Sequence, residues 1–160
     1  MRAPSISKAA VTTMAVKSFT GKYRWLSNFY PCEVQGPGGF RYPTVEHAYQ
    51  AWKTNDQKEW VVLASKALTP YPGDAKRHGR KLTLRPDWES IKLTVMENLL
   101  RQKFMSGTDL CERLCETGEE DIIEGNTWGD IFWGVCNGVG QNMMGHLLMK
   151  IRDEHNRKQW

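Results

Sequence analysis

The chain has 160 residues, of which 40% are hydrophobic and 25% are charged, and its formal net charge is +4. These values are ordinary for a single globular domain, and so small a net charge does not by itself indicate a nucleic-acid partner. No apolar run is long enough to span a bilayer, so we expect no membrane partner.

The N-terminal part of the chain is predicted to form a tail and then a hairpin. Residues 1–18 are small, polar and basic, so we expect a disordered or extraneous tail, with the domain occupying residues 19–160. The aromatic runs YRWL and FRYP are typical of short strands, and the connection GPGG at 36–39 separates them. We therefore predict a small antiparallel hairpin between residues 19 and 42.

Predicted helices account for most of the remaining chain. Thr44 is the predicted N-cap of a helix that reaches towards Asn55. The clearest helix opens at residues 85–87, because apolar residues recur on one stripe from Trp88 onwards, and Gly107 closes it. Other helices or helical turns are predicted over residues 56–67 and 74–79, after Thr108 or Asp109, and from Gln141 or Asn142.

The order of these elements predicts the fold class. Residues 122–135 are apolar and aromatic but are interrupted by glycines, which indicates a strand or an extended loop. Strands and helices do not alternate, which argues against a doubly wound sheet. We therefore expect a mainly α (α+β) fold: a single helical domain with a small antiparallel β hairpin near its N-terminus.

The cysteines indicate the redox compartment. The four cysteines show no CxxC spacing and no nearby histidine pair that could complete a zinc site. No secretory apolar segment is present. We therefore expect reduced thiols, no metal, no cofactor and a cytoplasmic location.

Four polar residues of the stretch TVEHAYQAWKT share one face of the first predicted helix. Glu46, Tyr49, Gln50 and Lys53 have the spacing i, i+3, i+4 and i+7. A solvent-exposed face with a Glu/Lys pattern is one interpretation. The other residues form a poor apolar stripe, however, so part of the inward face should be polar. Since buried polar groups cost about 1–3 kcal/mol each unless they are paired, this face is a candidate functional surface.

A second candidate is the glycine-rich segment from Glu124 to Arg152. Its spacing GxGxxxxG is a weak match to a dinucleotide-binding fingerprint, and no predicted strand–helix unit surrounds it. A loop that gathers polar and aromatic residues is the better interpretation, with Asp130 as a carboxylate perturbed by its aromatic neighbours. A turn in which Asp130 caps backbone amides is the alternative. The residues that the loop would bring together are Trp128, Asp130, Trp133 and Asn142.

A third candidate is the stretch RWLSNFYP. It places Ser27 and Asn28 between aromatic residues, where short polar side chains could bond a base or a ribose hydroxyl. The same residue types commonly form a turn, which is the alternative interpretation.

Four stretches, taken in order, resemble the motifs of the NADAR family, the YbiA-like N-glycosidases. They are FTGKYRWLSNFYP, YPTVEHAYQAWK, RPDWESIKLTVMENLLRQKF and EGNTWGDIFWGVCNGVGQNMMGHLLMKIR, and they span about residues 19–152. The resemblance implies hydrolysis of the C–N bond between a ribose and a base. The implied partner is a small ribosylated or phosphorylated molecule, such as an intermediate of riboflavin biosynthesis, or else ADP-ribosylated guanine in nucleic acid. A non-catalytic module that binds ADP-ribose or a nucleotide is the alternative.

The resemblance also assigns roles to residues by position. Glu46, Lys53 and Asp130 are the catalytic candidates, with Glu46 as acid/base and Asp130 orienting ribose or water. Lys53 either attacks C1′ to form a Schiff base or stays charged and binds phosphate. The expected substrate-binding residues are Ser27, Asn28, Phe29, Tyr49, Gln50, Trp128, Trp133 and Asn142. Basic residues that could contact phosphate are Lys22, Arg24, Lys76, Arg77, Arg80 and Lys81.

Overall fold

The computed structural model describes residues 15–158 and contains the predicted hairpin. Strand β1 (Val34–Gln35) pairs antiparallel with β2 (Arg41–Tyr42), so that Val34 lies opposite Tyr42. The Tyr42 hydroxyl donates a hydrogen bond to the Pro37 carbonyl at 2.9 Å, which ties the second strand to the connection. The hairpin is therefore confirmed for the FRYP run.

The YRWL run, predicted as a strand, is instead part of a 3-10 helix, Gly21–Leu26. Gly21 has a φ of +56°, a turn conformation that glycine adopts without strain. The backbone then bonds locally, for example from Ser27 N to the Arg24 carbonyl at 3.0 Å. Because these groups are satisfied within the segment, it needs no partner strand.

Six α-helices make up most of the rest of the described chain, and the mainly α (α+β) fold class is confirmed. The longest helix follows residues 85–87, as predicted. Thr108 caps the next one by accepting a hydrogen bond from Cys111 N at 3.2 Å. The helices are α1 (Val45–Trp52), α2 (Gln57–Ala64), α3 (Pro72–Gly79), α4 (Trp88–Lys103), α5 (Asp109–Glu116) and α6 (Met143–Arg157).

Helix α1 lies at the centre of the domain, against α2, α3, α4 and the hairpin. Thr44 caps it as predicted, because its side chain accepts a hydrogen bond from His47 N at 3.2 Å. Every residue from Val45 to Ala51 is buried, so the polar side chains of this helix are enclosed by protein. The polar inward face is confirmed, and the solvent-exposed alternative is wrong.

Helix α1 ends at Trp52, short of the end predicted near Asn55. The Lys53 carbonyl accepts a hydrogen bond from Arg85 N at 2.7 Å instead of taking part in a further helical turn. This contact fixes the backbone of Lys53 against the segment that leads into α4.

Helix α2 is shorter than the predicted range 56–67. The Thr69 hydroxyl donates to the Val62 carbonyl at 2.9 Å and so satisfies the end of the helix. Leu63 is fully buried, whereas Leu68 is 62% exposed because it lies beyond the helix end.

The segment predicted as a strand or an extended loop is a loop that carries two very short strands. Strand β3 (Gly125–Asn126) pairs in parallel with β4 (Val135–Cys136), which closes the chain between them into a compact loop. Gly134 allows this closure, since a Cβ there would contact the Glu124 carbonyl and the Asn126 amide.

Val16 lies in the predicted tail and is nevertheless part of the fold. It is fully buried, its N–H donates to the Asp121 carbonyl at 2.7 Å, and its carbonyl accepts from Ile123 N at 2.8 Å. The folded part of the chain therefore begins before Phe19. The rest of the predicted tail, residues 1–14, lies outside the described residues.

The apolar core joins the hairpin, α1, α4 and α6. Each large apolar side chain in it contributes roughly 1.5–3 kcal/mol by leaving water. In residues 15–158, no helix combines the length and the apolarity needed to cross a bilayer. Fully or almost fully buried members of the core are Leu26, Tyr42, Leu63, Met96, Leu99, Leu100, Phe104, Leu114, Ile122, Met144, Leu148 and Ile151.

Candidate active site

A cavity of about 650 Å³ opens between α1, α3 and the loop that precedes α6. This volume is in the range of small-ligand sites. Carboxylates, cations and aromatic rings line it together. The carboxyl residues are Glu46, Glu124 and Asp130, the basic residues are Lys53, Lys76, Arg77 and Arg80, and the aromatic residues are Phe19, Phe29, Tyr49, Trp128 and Trp133.

Glu46 stands in the first turn of α1 and is only 8% exposed. Gln50, one turn later, donates from Nε2 to Glu46 Oε1 at 2.7 Å. Burial raises the pKa of Glu46, and the Gln50 bond and the cations Lys76 and Lys53 oppose this shift without cancelling it. A carboxyl with a raised pKa titrates closer to neutrality, as an acid/base group requires.

Gly79, the last residue of α3, leaves the space that the Gln50 side chain occupies. A Cβ at position 79 would collide with Gln50 Oε1 and Cδ. Because residue 79 has no side chain, the Gln50 amide can lie between α1 and α3 and reach Glu46.

His47 belongs to the same motif but has a structural role. Its Nδ1 lies 2.8 Å from Thr44 Oγ1, and its Nε2 lies 2.9 Å from the Thr69 carbonyl. Burial lowers the pKa of His47. Because both ring nitrogens are engaged and the ring does not line the cavity, this imidazole joins α1 to the segment after α2.

Lys53 follows α1 and faces the cavity, with Nζ 5.3 Å from the centroid of the Tyr49 ring. Burial lowers the pKa of Lys53, and the nearby cations Lys76 and Arg80 act in the same direction. The charge of Glu46 opposes this shift. A lowered pKa is what an amine needs in order to act as a nucleophile near neutral pH.

Asp130 caps a turn and also lines the cavity. Its Oδ1 accepts hydrogen bonds from Phe132 N at 3.1 Å and Trp133 N at 2.9 Å. Asn126 holds the same turn, because its Oδ1 accepts from Asp130 N at 3.0 Å. The turn in which Asp130 caps backbone amides is therefore confirmed, and the same cap holds its carboxylate on the cavity wall.

Glu124 is a third carboxyl of the cavity, and sequence reasoning missed it. Burial raises the pKa of Glu124 to about 8, and the charges of Asp130 and Glu46 act in the same direction. The sequence indicates the burial of Glu124 only weakly. This glutamate directly follows an apolar pair that ends at Ile123, and it lies in the same segment as Asp130.

One wall of the cavity is a loop that contains Ser27, Asn28 and Phe29. Lys103 supports this loop through its backbone. Lys103 is 1% exposed, and its Nζ donates to the Ser27 carbonyl at 2.6 Å. Burial lowers the pKa of Lys103 to about 7. Sequence reasoning missed this residue, although its register with Leu99 places it on the buried stripe of α4.

Two indole rings of the cavity differ in exposure. Trp133 packs edge-on against Tyr49, with ring centroids 5.8 Å apart and planes at 87°. Trp128 is 64% exposed, and Lys76 Nζ lies 5.5 Å from its ring centroid. Flat apolar surfaces of this kind suit a planar base.

Asn142 is the one expected substrate contact that does not line the cavity. Its Oδ1 accepts from Glu124 N at 3.0 Å, and its Nδ2 donates to the Ile122 carbonyl at 2.9 Å. Asn142 therefore supports the cavity through the backbone of Glu124. Gly145 leaves room for this amide, since a Cβ there would meet both of its polar atoms.

The six basic residues expected near phosphate lie in three different places. Lys76, Arg77 and Arg80 line the cavity. Lys22 and Arg24 line a different cleft, and Lys81 is exposed outside both.

Three buried polar atoms of the described residues have no hydrogen-bond partner, and all three belong to residues that line the cavity. They are Asn28 Oδ1, Gln50 Oε1 and Glu124 Oε2. An unpaired buried polar atom costs about 1–3 kcal/mol, so the wall of this cavity is less fully hydrogen-bonded than an ordinary protein interior.

The chain belongs to the NADAR domain family, and the match to that family covers residues 16–155. Among solved structures, the chain is similar to the NMR structure of the Escherichia coli protein YbiA, with a TM-score of 0.77 and 32% identity. The similarity covers 91% of this chain and 86% of that one.

Curated relatives carry names that agree with the family. The chain is 35% identical over 135 residues to an N-glycosidase of Nostoc punctiforme, covering 82% of this chain and 85% of that protein. It is 36% identical over 135 residues to a riboflavin biosynthesis protein of Vibrio vulnificus, and there it spans only 35% of the relative's length. These names support an enzyme that hydrolyses N-glycosyl bonds.

Proposed function

We propose that this protein is an N-glycosidase that cleaves the C–N bond between a base and a ribose that carries a phosphate or belongs to ADP-ribose. The observation that carries the proposal is the convergence of Glu46, Lys53 and Asp130 on one cavity of about 650 Å³ that aromatic rings also line. The candidate substrates are ribosylamino-pyrimidine intermediates of riboflavin biosynthesis and ADP-ribosylated guanine. The relatives named N-glycosidases support the reaction class.

In the direct route, water attacks C1′ as the bond to the base breaks. This bond cleavage builds positive charge on C1′ and the ring oxygen, which a nearby carboxylate stabilises. Glu46 accepts a proton from the attacking water, and Asp130 orients the water or the ribose. The base leaves with the bonding electron pair and must take up a proton.

In the lysine route, the neutral amine of Lys53 bonds to C1′ and the base leaves with the electron pair and a proton. The ring C–O bond then opens, which leaves the sugar attached to Lys53 as a Schiff base. Water adds to this C=N bond and releases an aldehyde sugar and the free amine. Glu46 would move the protons in this route as well.

We predict that Gly79→Ala lowers the rate of base release roughly tenfold, because one hydrogen bond to the reacting carboxyl is lost. The added methyl group would displace the Gln50 amide from Glu46. The free energy of unfolding should change little, because Ala is favoured over Gly in a helix by about 1 kcal/mol and this gain offsets the cost of moving the amide. Steady-state rates and thermal unfolding measure the two effects. Gly73→Ala on the same helix is the control for the added methyl group alone, because Gly73 also lines the cavity but a Cβ there meets nothing within 4 Å. Equal rates for both variants would contradict the role of Gln50.

The basic residues of α3 suit a phosphate group of the substrate. Arg77 is paired with Asp74, whereas Lys76 and Arg80 make no ion pair among the described residues. Both face the cavity near Lys53, as their effect on its pKa indicates. They are therefore free to meet an anionic ligand.

We predict that the double variant Lys76→Ala, Arg80→Ala raises KM about 10- to 100-fold for a phosphorylated substrate, with a smaller change in kcat. The matching substrate without its phosphate should lose little. Lys81→Ala is the control, because this neighbour is exposed and does not line the cavity. Equal losses with both substrates would show that the pair does not bind phosphate.

A substrate screen tests the proposed function. Ribosylated pyrimidines, NAD-derived compounds and ADP-ribosyl-guanosine are each incubated with the protein, and release of free base is measured. Tight binding without release of base would favour the alternative, a module that binds ADP-ribose or a nucleotide.

The salt dependence of the activity then distinguishes the substrate classes. Activity on a base within nucleic acid should fall steeply as the salt concentration rises, whereas activity on a small molecule should fall much less.

A further inference from the structure

We infer that Glu124 is a third catalytic carboxyl of the cavity, which gives the departing base its proton; this inference rests on the proposed N-glycosidase function. The direct route requires such a donor, because Glu46 there accepts the proton of the attacking water. Glu46 acts on the sugar side of the bond, and Asp130 orients the water or the ribose. Neither residue therefore donates a proton to the departing base.

The backbone of Glu124 is held rigidly at the cavity wall. Its N–H donates to Asn142 Oδ1 at 3.0 Å, and its carbonyl accepts from Val135 N at 2.9 Å. Gly125 follows, and the Lys17 carbonyl lies where a Cβ would stand. These contacts leave the carboxyl group as the free part of the residue. Its Oε2 is buried and has no partner in the described part of the chain.

The three carboxyl groups of the cavity differ in what supports a negative charge. Asp130 receives two backbone N–H groups. Glu46 receives the Gln50 amide and faces the cations Lys53 and Lys76. Glu124 faces two carboxylates and only one cation, and no hydrogen bond to its carboxyl was found among residues 15–158. Since three close carboxyl groups do not all ionise readily, the proton remains on the least supported one.

The pKa of about 8 that burial and the charges of Asp130 and Glu46 produce agrees with this arrangement. At neutral pH, Glu124 is therefore largely a neutral acid with an O–H to donate. As the C1′–N bond breaks, the base nitrogen keeps the electron pair and takes this proton. Water supplies the hydroxyl group on C1′, and its second proton passes to Glu46. Exchange with solvent then returns one proton to Glu124 and removes one from Glu46.

The test is Glu124→Gln, which keeps the shape of the side chain and removes the acid. We expect kcat/KM for base release to fall about 100-fold at neutral pH. For the wild type, kcat/KM should decline as pH rises through about 8, because Glu124 then loses its proton. The groups facing it are Glu46, Asp130 and Lys76, and all of them remain in the variant. In Glu124→Gln, kcat/KM should therefore fall less steeply than in the wild type as pH rises through about 8.

Thermal unfolding gives a second readout that a structural role would not produce. In the folded state the pKa lies at about 8, above the ordinary value of 4.5, so the folded protein holds a proton that the unfolded chain has lost. Wild-type stability therefore falls as pH rises between these values. Gln does not titrate, so the variant should have a higher Tm than the wild type near pH 9 and lose this advantage near pH 4.5.

Glu119→Gln is the matched control, since this glutamate is exposed and does not line the cavity. A slow, more stable Glu124→Gln variant with a flattened alkaline limb supports the inference. Activity within threefold of the wild type, or an unchanged alkaline limb, would overturn it and leave the proposed function standing. A wild-type protein that releases no base from any substrate of the screen would overturn the proposed function itself.

Discussion

The Glu46→Gln variant is expected to lose base release by at least about 100-fold while it still binds the substrate. The amide cannot accept a proton from water or stabilise positive charge at C1′, although it fills the same volume. Its oxygen can still accept the Gln50 bond that Glu46 Oε1 accepts at 2.7 Å, so the fold should be retained. The loss should therefore appear in kcat rather than in substrate affinity.

Titration of ligand binding and single-turnover rates separate these two effects. The control is Glu116→Gln, which changes an exposed glutamate of α5. A Glu46→Gln variant with wild-type turnover would remove Glu46 from the chemistry. A variant that neither binds nor turns over would point to a role in binding alone, provided that its thermal unfolding is unchanged.

The second large effect is expected at Lys53. If this amine attacks C1′, borohydride added during turnover should trap the sugar on the protein, with the corresponding increase in mass at Lys53. Lys53→Ala should abolish the adduct and lower activity at least about 100-fold, since covalent catalysis is lost. Burial lowers the pKa of this half-buried amine, which is the direction that nucleophilic attack requires.

Lys53→Arg distinguishes the nucleophile from the charge. Arginine keeps a cation for phosphate or a ribose hydroxyl but cannot form a Schiff base. Lys58→Ala, which changes an exposed lysine of α2, controls for non-specific trapping. Full activity in Lys53→Arg, together with the absence of an adduct in the wild type, would leave direct attack by water as the route.

Local patterns in the sequence correctly predicted two helix caps and the polar face of α1. The caps at Thr44 and Thr108 depend on a hydroxyl and an amide three residues apart, so a short stretch contains the whole interaction. The same holds for the polar face of α1, whose spacing brings Glu46 and Gln50 together one turn apart. Such contacts can be read without knowledge of the tertiary structure.

The features that sequence reasoning missed depend on partners distant in the chain. Burial, together with the charges of Asp130 and Glu46, raises the pKa of Glu124, and folding alone creates both conditions. Lys103 becomes a support for the cavity only because α4 packs behind the Ser27 carbonyl. The 3-10 helix at YRWL has a different origin, because its backbone bonds are local while its aromatic composition is typical of strands.

The proposed activity is cleavage, within the cavity, of the bond between C1′ of a ribose and a base nitrogen. Mass spectrometry of the products from the best substrate of the screen identifies the bond that is cleaved. We expect equal amounts of an intact free base and a sugar with a free reducing end, and neither product from Glu46→Gln. Recovery of the substrate unchanged from a saturated complex, or cleavage at any other bond, would contradict it.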